Sequence, residues 1–471
     1  MASKLLLRQI PKTDSLLSRP AIRDAQERYP YAFVKATVQD CLDELREEAL
    51  AGRIDRIPTP DELETSILGR LERGHLFRMK RVINATGVVL HTNLGRAPLG
   101  EDAAMHIAEL SKGYCNLEYD TQTGSRGSRY ALVEQLLCEL TGAEAAMVVN
   151  NNAGAVFLML NTLAKGKTVA VSRGELVEIG GSFRVPEIMY ASGAQMCEIG
   201  CTNKTHVRDY ERAMDEQGAE VLLKVYTSNF VINGFTESVS AGALARIAHE
   251  RGGLVLHDQG SGFLFPPEAM GMHAGNVAWA SLREDVDVVS FSGDKLLGSA
   301  QCGIILGKKQ YIDRIKKNQL TRMLRIDKLS LAALEICLQY CRDPKLAREK
   351  LPALRMLSCS ETECRETART LCRMITQAAP TCDARVISVR DEAGGGSMAG
   401  VLLDGAAVAV NIPDLPPEKA ETLLHRRDLP IIARVSRDGV LFSARTLFEE
   451  DLEAIADAVR ELCEYAAGRR T

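Results

Sequence analysis

No run of about 18 apolar residues occurs in the 471-residue chain, so no membrane-spanning helix is expected. The opening residues carry Leu5-Leu6-Leu7 but no longer apolar core, so no signal peptide is read there. There is no Cys-x-x-Cys pair among the 13 cysteines, and no histidine pair stands at finger-like spacing from Cys197/Cys201 or Cys337/Cys341. A zinc site is therefore not expected. Reduced cysteines serving as small apolar residues in a cytoplasmic protein fit better. Neither a Walker loop nor a Gly-x-Gly-x-x-Gly fingerprint is present, which removes a P-loop nucleotidase or a dinucleotide fold. Charge of one sign is missing too. Lys+Arg total 58 against 62 Asp+Glu, a net charge of −4, which excludes a strongly basic nucleic-acid coat but not a local basic patch. Internal repeats and low-complexity tracts are absent.

What remains is the composition of a soluble globular protein, 46% apolar and 25% charged, with length for two to four domains at about 150 residues each. Residues 1–70 look helical and separate. Pro20 and Pro58-Thr-Pro60 mark helix starts, and Asp40 to Leu50 is an acidic amphipathic run. Charge is segregated there: residues 1–36 carry seven Lys/Arg against three Asp/Glu, and residues 37–64 carry three against nine. A basic stretch with His75 and Phe77 follows, inside a linker expected over 71–96.

From Ala145 to Gly307 short apolar runs alternate with helical ones. Strands are expected at Ala146–Asn150, Thr168–Ser172, Gln195–Ile199, Val221–Tyr226, Gly253–His257, Asp287–Phe291 and Gly303–Leu306. Helices are expected at Ala153–Ala164, His206–Gln217 and Ala241–Arg251. This alternation predicts an α/β core over 97–342 with a mostly parallel sheet covered on both faces. Residues 343–471 read as a small α+β domain: a helix over Pro352–Ala378, strands at Arg385–Val389, Gly400–Leu403, Ala407–Ile412 and Ile431–Val435, a glycine turn at Gly394-Gly395-Gly396, and a closing helix.

Three features of the core carry chemistry. The first is Ser292-Gly293-Asp294-Lys295, a lysine straight after a buried strand. Burial penalises the ammonium and frees the neutral amine, as a Schiff-base lysine requires. An ordinary surface lysine in a strand–loop turn is the alternative. The second is Asp258, which ends an apolar strand before Gly260 and Gly262. At the carboxyl end of a parallel strand it can pair with the ring nitrogen of pyridoxal phosphate, or simply close an Asx turn. The third is Asn150-Asn151-Asn152-Ala153-Gly154, where strand meets helix. Free amides there suit a phosphate, and the alternative is a plain Asn cap. Phosphate loop, aspartate and lysine in this order are those of a fold-type-I pyridoxal-phosphate enzyme.

Longer words make the sequence recognisable. They are Arg81-Val-Ile-Asn-Ala-Thr-Gly-Val-Val-Leu-His-Thr-Asn-Leu-Gly-Arg96, Asn116-Leu-Glu-Tyr-Asp120, Arg126-Gly-Ser-Arg129, Val149-Asn-Asn-Asn152, Arg173-Gly-Glu-Leu-Val-Glu-Ile-Gly-Gly-Ser-Phe-Arg184, Thr202-Asn-Lys-Thr205, Thr227-Ser-Asn229, Gly293-Asp-Lys-Leu-Leu-Gly298 and Leu320-Thr-Arg-Met-Leu-Arg-Ile-Asp-Lys328. The chain resembles the bacterial selenocysteine synthase (L-seryl-tRNA(Sec) selenium transferase) family over nearly its full length. The resemblance implies a fold-type-I pyridoxal-phosphate transferase. Its implied reaction removes water from serine esterified to tRNA(Sec), giving an aminoacrylyl-tRNA, and adds selenium from selenophosphate.

The resemblance also assigns roles. Lys295 would hold pyridoxal 5'-phosphate, with Asp258, Asn152, Ala153, Gly154 and Ser292 around it. Asp294 would assist dehydration or addition. Arg96, Arg322 and Arg325 would bind selenophosphate. The last two, three residues apart, would share a helix face. The N-terminal region would read the tRNA, with Tyr29, Tyr31 and Phe33 either stacking on bases or packing inside. A homo-oligomer is implied, a dimer at least and a pentamer of dimers in full. The competing reading is a pyridoxal-phosphate lyase or transferase acting on a free amino acid, which needs a cationic clamp for the α-carboxylate; Arg434 is the candidate. The chain departs from the family pattern at Ser299-Ala300 and Cys302, where Gly-Pro-Gln-Ala-Gly is usual, and at Cys201 and Met398-Ala399. The turn after Lys295 is thereby open to change, and Cys201 and Cys302 to oxidation if exposed.

Overall fold

The computed structural model describes residues 6–50, 54, 56–72, 79–181 and 183–468. Leu5, Ser182, and the basic stretch around His75 and Phe77 lie outside them. The chain packs as two compact units, Met1–Ile83 with His425–Ile431, and Asn84–Leu424 with Ile432–Thr471.

In the first unit the helices are Thr13–Leu17, Pro20–Arg28, Tyr31–Leu50 and Pro60–Glu72. Pro20 and Pro60 open theirs, where a missing N–H costs nothing. Leu16, Ile22, Val34, Val38, Leu42, Leu63 and Ile67 form the shared core. Each fully buried aliphatic side chain contributes roughly 1.5–3 kcal/mol. Tyr29 and Phe33 pack partly buried against that core, with ring centroids 6.1 Å apart, whereas Tyr31 is 55% exposed.

The second unit is built on a seven-stranded sheet. Its neighbours run in the order Ala145–Val149, Gly303–Gly307, Val288–Ser292, Leu254–Gly260, Ala219–Val225, Thr168–Ser172, Gln195–Ile199. Each expected strand is present; Thr168–Ser172 and Gln195–Ile199 keep their expected bounds, and the others differ by at most three residues at an end. Four of the six neighbouring pairs are parallel; Gly303–Gly307 alone is reversed, antiparallel to both of its partners. Alternate residues bury on opposite faces. Val148 and Ile304 join one cluster, and Met147, Val149 and Ile305 the other. This is why the strands read as continuous apolar runs rather than as alternating ones. The helices Asn152–Leu163, Val207–Gln217 and Ala241–Glu250 stand between strands as expected.

The smaller sheet differs from its expectation. The single helix expected over Pro352–Ala378 is two, Pro352–Leu357 and Glu361–Ala378. Ser360 and Glu363 form a reciprocal capping box at the break, a Ser-x-x-Glu signal visible in the sequence. The two strands expected at Gly400–Leu403 and Ala407–Ile412 are one continuous strand, Leu402–Asn411. Gly405 interrupts the apolar pattern because a Cβ there would stand 2.4 Å from Asp391 Oδ2. A further strand, Gly439–Ser443, was not expected. Four strands of this five-stranded sheet run in the order Ile431–Ser436, Gly439–Ser443, Leu402–Asn411, Asp383–Glu392, each antiparallel to the next.

Candidate active site

The parallel strands deliver their carboxyl ends to one edge, and the three chemical features meet there. Leu254–Gly260 carries Asp258, 2% exposed, two residues before its end. The next strand in the sheet, Val288–Ser292, feeds the turn that carries Asp294 and Lys295, and pairs Ser290 with Asp258. Ser292 is buried at its end. Asn152 begins the helix after Ala145–Val149 and donates from Nδ2 to Asp258 Oδ1 at 2.9 Å. The Gly260 amide donates to the same oxygen at 3.0 Å, across an irregularity in the strand pairing. Asp258 Oδ2 is used by neither bond.

The cap of that helix is Asn151, whose side chain accepts from the Gly154 amide at 2.8 Å. The Gly154 N–H is thus already taken. The amides of Asn152 and Ala153, in the first helical turn, have no intrahelical acceptor. Gly303 keeps this corner tight, since a Cβ there would fall 2.2 Å from the Asn151 carbonyl oxygen.

Lys295 is 5% exposed. Burial lowers its pKa below the ordinary lysine value, and the nearby Arg96 cation lowers it further; Asp258 and Asp294 act in the opposite direction. Burial also raises the Asp258 carboxyl, opposed by the Asn152 and Gly260 bonds and by the Lys295 charge. Asp294 Oδ2 accepts from Arg96 Nη1 at 2.6 Å. Arg96 itself holds φ 59°, a left-handed conformation uncommon for a side-chain-bearing residue and one that collects at functional sites. The turn after the lysine closes despite Ser299-Ala300: Gly298 N bonds Lys295 O, and Ser299 N bonds Gly293 O, each at 2.9 Å.

Buried polar atoms without a partner gather here. They include Asn150 Oδ1, Asn152 Oδ1, Arg96 Nε, Ser228 Oγ and Ser290 Oγ. An unsatisfied buried polar atom is costly in a finished fold, so such a group marks a place built for a ligand. A buried amine, a buried carboxyl with a free oxygen, and helix amides at one strand edge fit the amine-reactive aldehyde, ring nitrogen and phosphate of pyridoxal phosphate.

Arg322 and Arg325 do not share a helix. Arg322 ends a short 3-10 turn, Gln319–Arg322, and Arg325 lies beyond it, bridged to Val149 in strand fashion. They still come together. Both line a cavity of about 250 Å³ with Glu118, Arg126, Arg129 and Tyr130. Glu118 accepts from Arg129 at 2.7 Å and Arg325 at 3.0 Å, and the Arg129 bond holds its carboxyl below the usual range. Four guanidinium groups around one carboxylate leave a surplus of positive charge. Arg126, Arg129 and Glu118 belong to this set although sequence reasoning gave them no role. The words Asn116–Asp120 and Arg126–Arg129 were the available signal, but nothing in them gave the pairing. Arg96 does not line this cavity.

Arg434 is committed elsewhere: its Nη2 donates to the fully buried Asp391 at 3.0 Å, beside Arg445 at 3.1 Å. Cys201 is exposed, whereas Cys302 is fully buried and its thiol is pushed up by burial, so of these two Cys201 is the one open to oxidant.

The fold is that of the fold-type-I pyridoxal-phosphate enzymes, and the strand-edge constellation suits that class. A solved structure of D-glucosaminate-6-phosphate ammonia-lyase shares the fold, with a TM-score of 0.58 at 19% identity, covering 84% of this chain and 98% of that one. A family model described as L-seryl-tRNA selenium transferase matches residues 82–448, and one described as selenocysteine synthase N terminal matches residues 7–46. The chain is 45% identical over 457 residues to the L-seryl-tRNA(Sec) selenium transferase of Geobacter sulfurreducens, covering 96% of this chain and 98% of that protein. It is 45% identical over 462 residues to the enzyme of the same name from Clostridium botulinum, covering 98% and 100%. The chain belongs to the L-seryl-tRNA selenium transferase family.

Proposed function

We propose that this enzyme converts seryl-tRNA(Sec) to selenocysteinyl-tRNA(Sec), with selenophosphate as selenium donor. The observation that carries the reading is the buried Lys295–Asp258–Asn152 constellation in a chain of this family. Lys295 would hold pyridoxal phosphate, Asp258 would face its ring nitrogen, and Asn152 would fix Asp258. The Asn152 and Ala153 amides, with Gly154 and Ser292 alongside, would take its phosphate. Bound there, the cofactor supplies an electron sink that makes the serine Cα proton removable.

The chain's own residues do the rest. Burial keeps more of Lys295 as free amine than an exposed lysine has, so its Nζ can take the Cα proton. Asp294, oriented by Arg96, is placed to handle the proton with which the β-hydroxyl leaves as water. Arg96, Arg322 and Arg325 would hold the selenophosphate oxyanion through forked guanidinium contacts. Arg126 and Arg129 add to the same positive cavity.

In one chain Arg96 acts on Lys295, while Arg322 and Arg325 line a cavity whose walls include neither Arg96 nor Lys295. That division suits a site completed by a second copy, so we assign the working form to a homo-oligomer, a dimer at least. The N-terminal domain, residues 1–70 in our reading, would contact tRNA phosphates through its basic opening segment, with exposed Tyr31 free to stack. A free amino acid would need a cation for its α-carboxylate; Arg434 gives its guanidinium to Asp391, which favours the esterified substrate.

The test is a two-arm assay on purified protein with pyridoxal phosphate. One arm holds seryl-tRNA(Sec) and selenophosphate, the other free serine or cysteine. Selenocysteinyl-tRNA in the first arm and silence in the second is the expected outcome. Turnover of the free amino acid without a tRNA product would overturn the assignment.

A further inference from the structure

We propose that Cys359 and Cys364 form a thiol–disulfide modification site, closed into an intramolecular disulfide by a low-molecular-weight disulfide such as oxidised glutathione. The two Sγ atoms lie 3.3 Å apart, with the Cys364 thiol donating to Cys359. Local structure sets this distance. Cys359 sits one residue before Ser360, which caps the helix Glu361–Ala378, and Cys364 is in the first turn of that helix.

The two cysteines are unequal in ways that assign them steps. Cys359 is half-buried and lines a cavity of about 1070 Å³ together with Lys345, Arg348, Arg355 and Arg445. Cys364 is 1% exposed behind it. The bond from Cys364 lowers the Cys359 thiol below its ordinary value against the opposing effects of burial and Glu363, helped by the Arg445 and Arg348 charges, and the Cys364 thiol is raised in return. The thiolate is the attacking form, and a helix N-terminus with nearby arginines favours it. Cys359 therefore attacks and Cys364 resolves.

In the first step the Cys359 thiolate bonds to one sulfur of oxidised glutathione and expels the other as glutathione thiolate. In the second, Cys364 loses its proton and attacks Cys359 Sγ, expelling the second glutathione. The two protein thiols are oxidised by two electrons, one glutathione disulfide is reduced to two thiols, and both protons pass to solvent or to the departing thiolates. The loop being closed also has structural work. The Met356 and Cys359 carbonyl oxygens each accept from Arg445 Nη1 at 2.8 Å, and Arg445 holds the buried Asp391. Cys337 and Cys341, by contrast, are 1% and 5% exposed, with no route for an oxidant in the folded protein.

The experiment treats the full-length holoenzyme with oxidised glutathione, blocks remaining thiols with N-ethylmaleimide and maps peptides by mass. The expected result is a Cys359–Cys364 link with loss of two hydrogen atoms, reversed by dithiothreitol, with Cys337 and Cys341 unchanged. Cys364→Ser should stop at a glutathione mixed disulfide on Cys359, and Cys359→Ser should leave Cys364 unoxidised. The proposal is overturned if wild-type Cys359 and Cys364 both carry maleimide after treatment. It is equally overturned if the mixed disulfide on Cys359 persists in the wild type.

Discussion

Asn152 Nδ2 lies 2.9 Å from Asp258 Oδ1, joining the loop after one strand to the end of a strand three places across the sheet. This bond ties two of the three chemical features into one unit. Asp258 is buried deeply enough that its carboxyl is raised, and Asn152 is one of the groups that opposes the rise. Asn152→Ala should weaken retention of pyridoxal phosphate by about tenfold to a hundredfold, since a hydrogen bond to a charged group is worth about 1.5–3 kcal/mol. Titration of apoprotein with the cofactor, followed by absorbance, reads the change. An unaltered affinity would remove Asn152 from the site.

Lys295→Ala should abolish the visible absorbance of a protein-bound Schiff base while leaving the fold intact by circular dichroism. Persistence of that band would mean another amine carries the cofactor.

Arg96 and Asp294 act on Lys295 with opposite signs. Removing the cation in Arg96→Gln should raise the lysine toward its ordinary value. The pH profile for the rate at which apoprotein captures pyridoxal phosphate then moves to more alkaline pH. Asp294→Asn should move the same profile the other way. Two shifts of the same sign would contradict the electrostatic reading.

Arg322→Ala should slow the selenium-dependent step by roughly tenfold or more, the loss of one charge-assisted contact, while leaving cofactor absorbance in place. Equal loss of both would make Arg322 a structural residue.

His257 is fully buried against Ser281, with 3.0 Å between Nδ1 and Oγ, and burial pushes its pKa down to about 3 from 6.5. The folded state keeps this ring neutral, whereas the unfolded chain takes up a proton below about pH 6.5. Stability from this group is thus complete above that pH and falls toward pH 3, by about 1.4 kcal/mol per pH unit at most. His257→Gln should flatten the acid limb of urea-unfolding midpoints measured between pH 7 and pH 5. An unchanged slope would show that the ring titrates freely.

Much of the fold was legible because the strands are buried on both faces and write themselves as apolar runs, and because proline opens the N-terminal helices. Gly405 misled by the same logic. It broke an apolar pattern, and only the approach of Asp391 shows why glycine stands inside a strand. The Ser360-x-x-Glu363 capping box that divides the expected Pro352–Ala378 helix is a local signal the sequence reading did not use. Lys295, Asp258 and Asn152 were each readable as types suited to pyridoxal phosphate, and each alone had an ordinary alternative.

The sequence by itself determined the chemistry available: an amine after a strand, a carboxylate at a strand end, an amide loop before a helix, and arginines in recognisable words. Tertiary structure decided which of these meet. It set Arg96 on Asp294, turned Arg434 away to Asp391, and moved Arg322 and Arg325 off a helix into a cavity with Glu118, Arg126 and Arg129. The reason is physical. Backbone periodicity is local and shows in neighbouring residues, whereas burial and charge pairing join residues from separate elements, as far apart in the chain as Asn152 and Asp258.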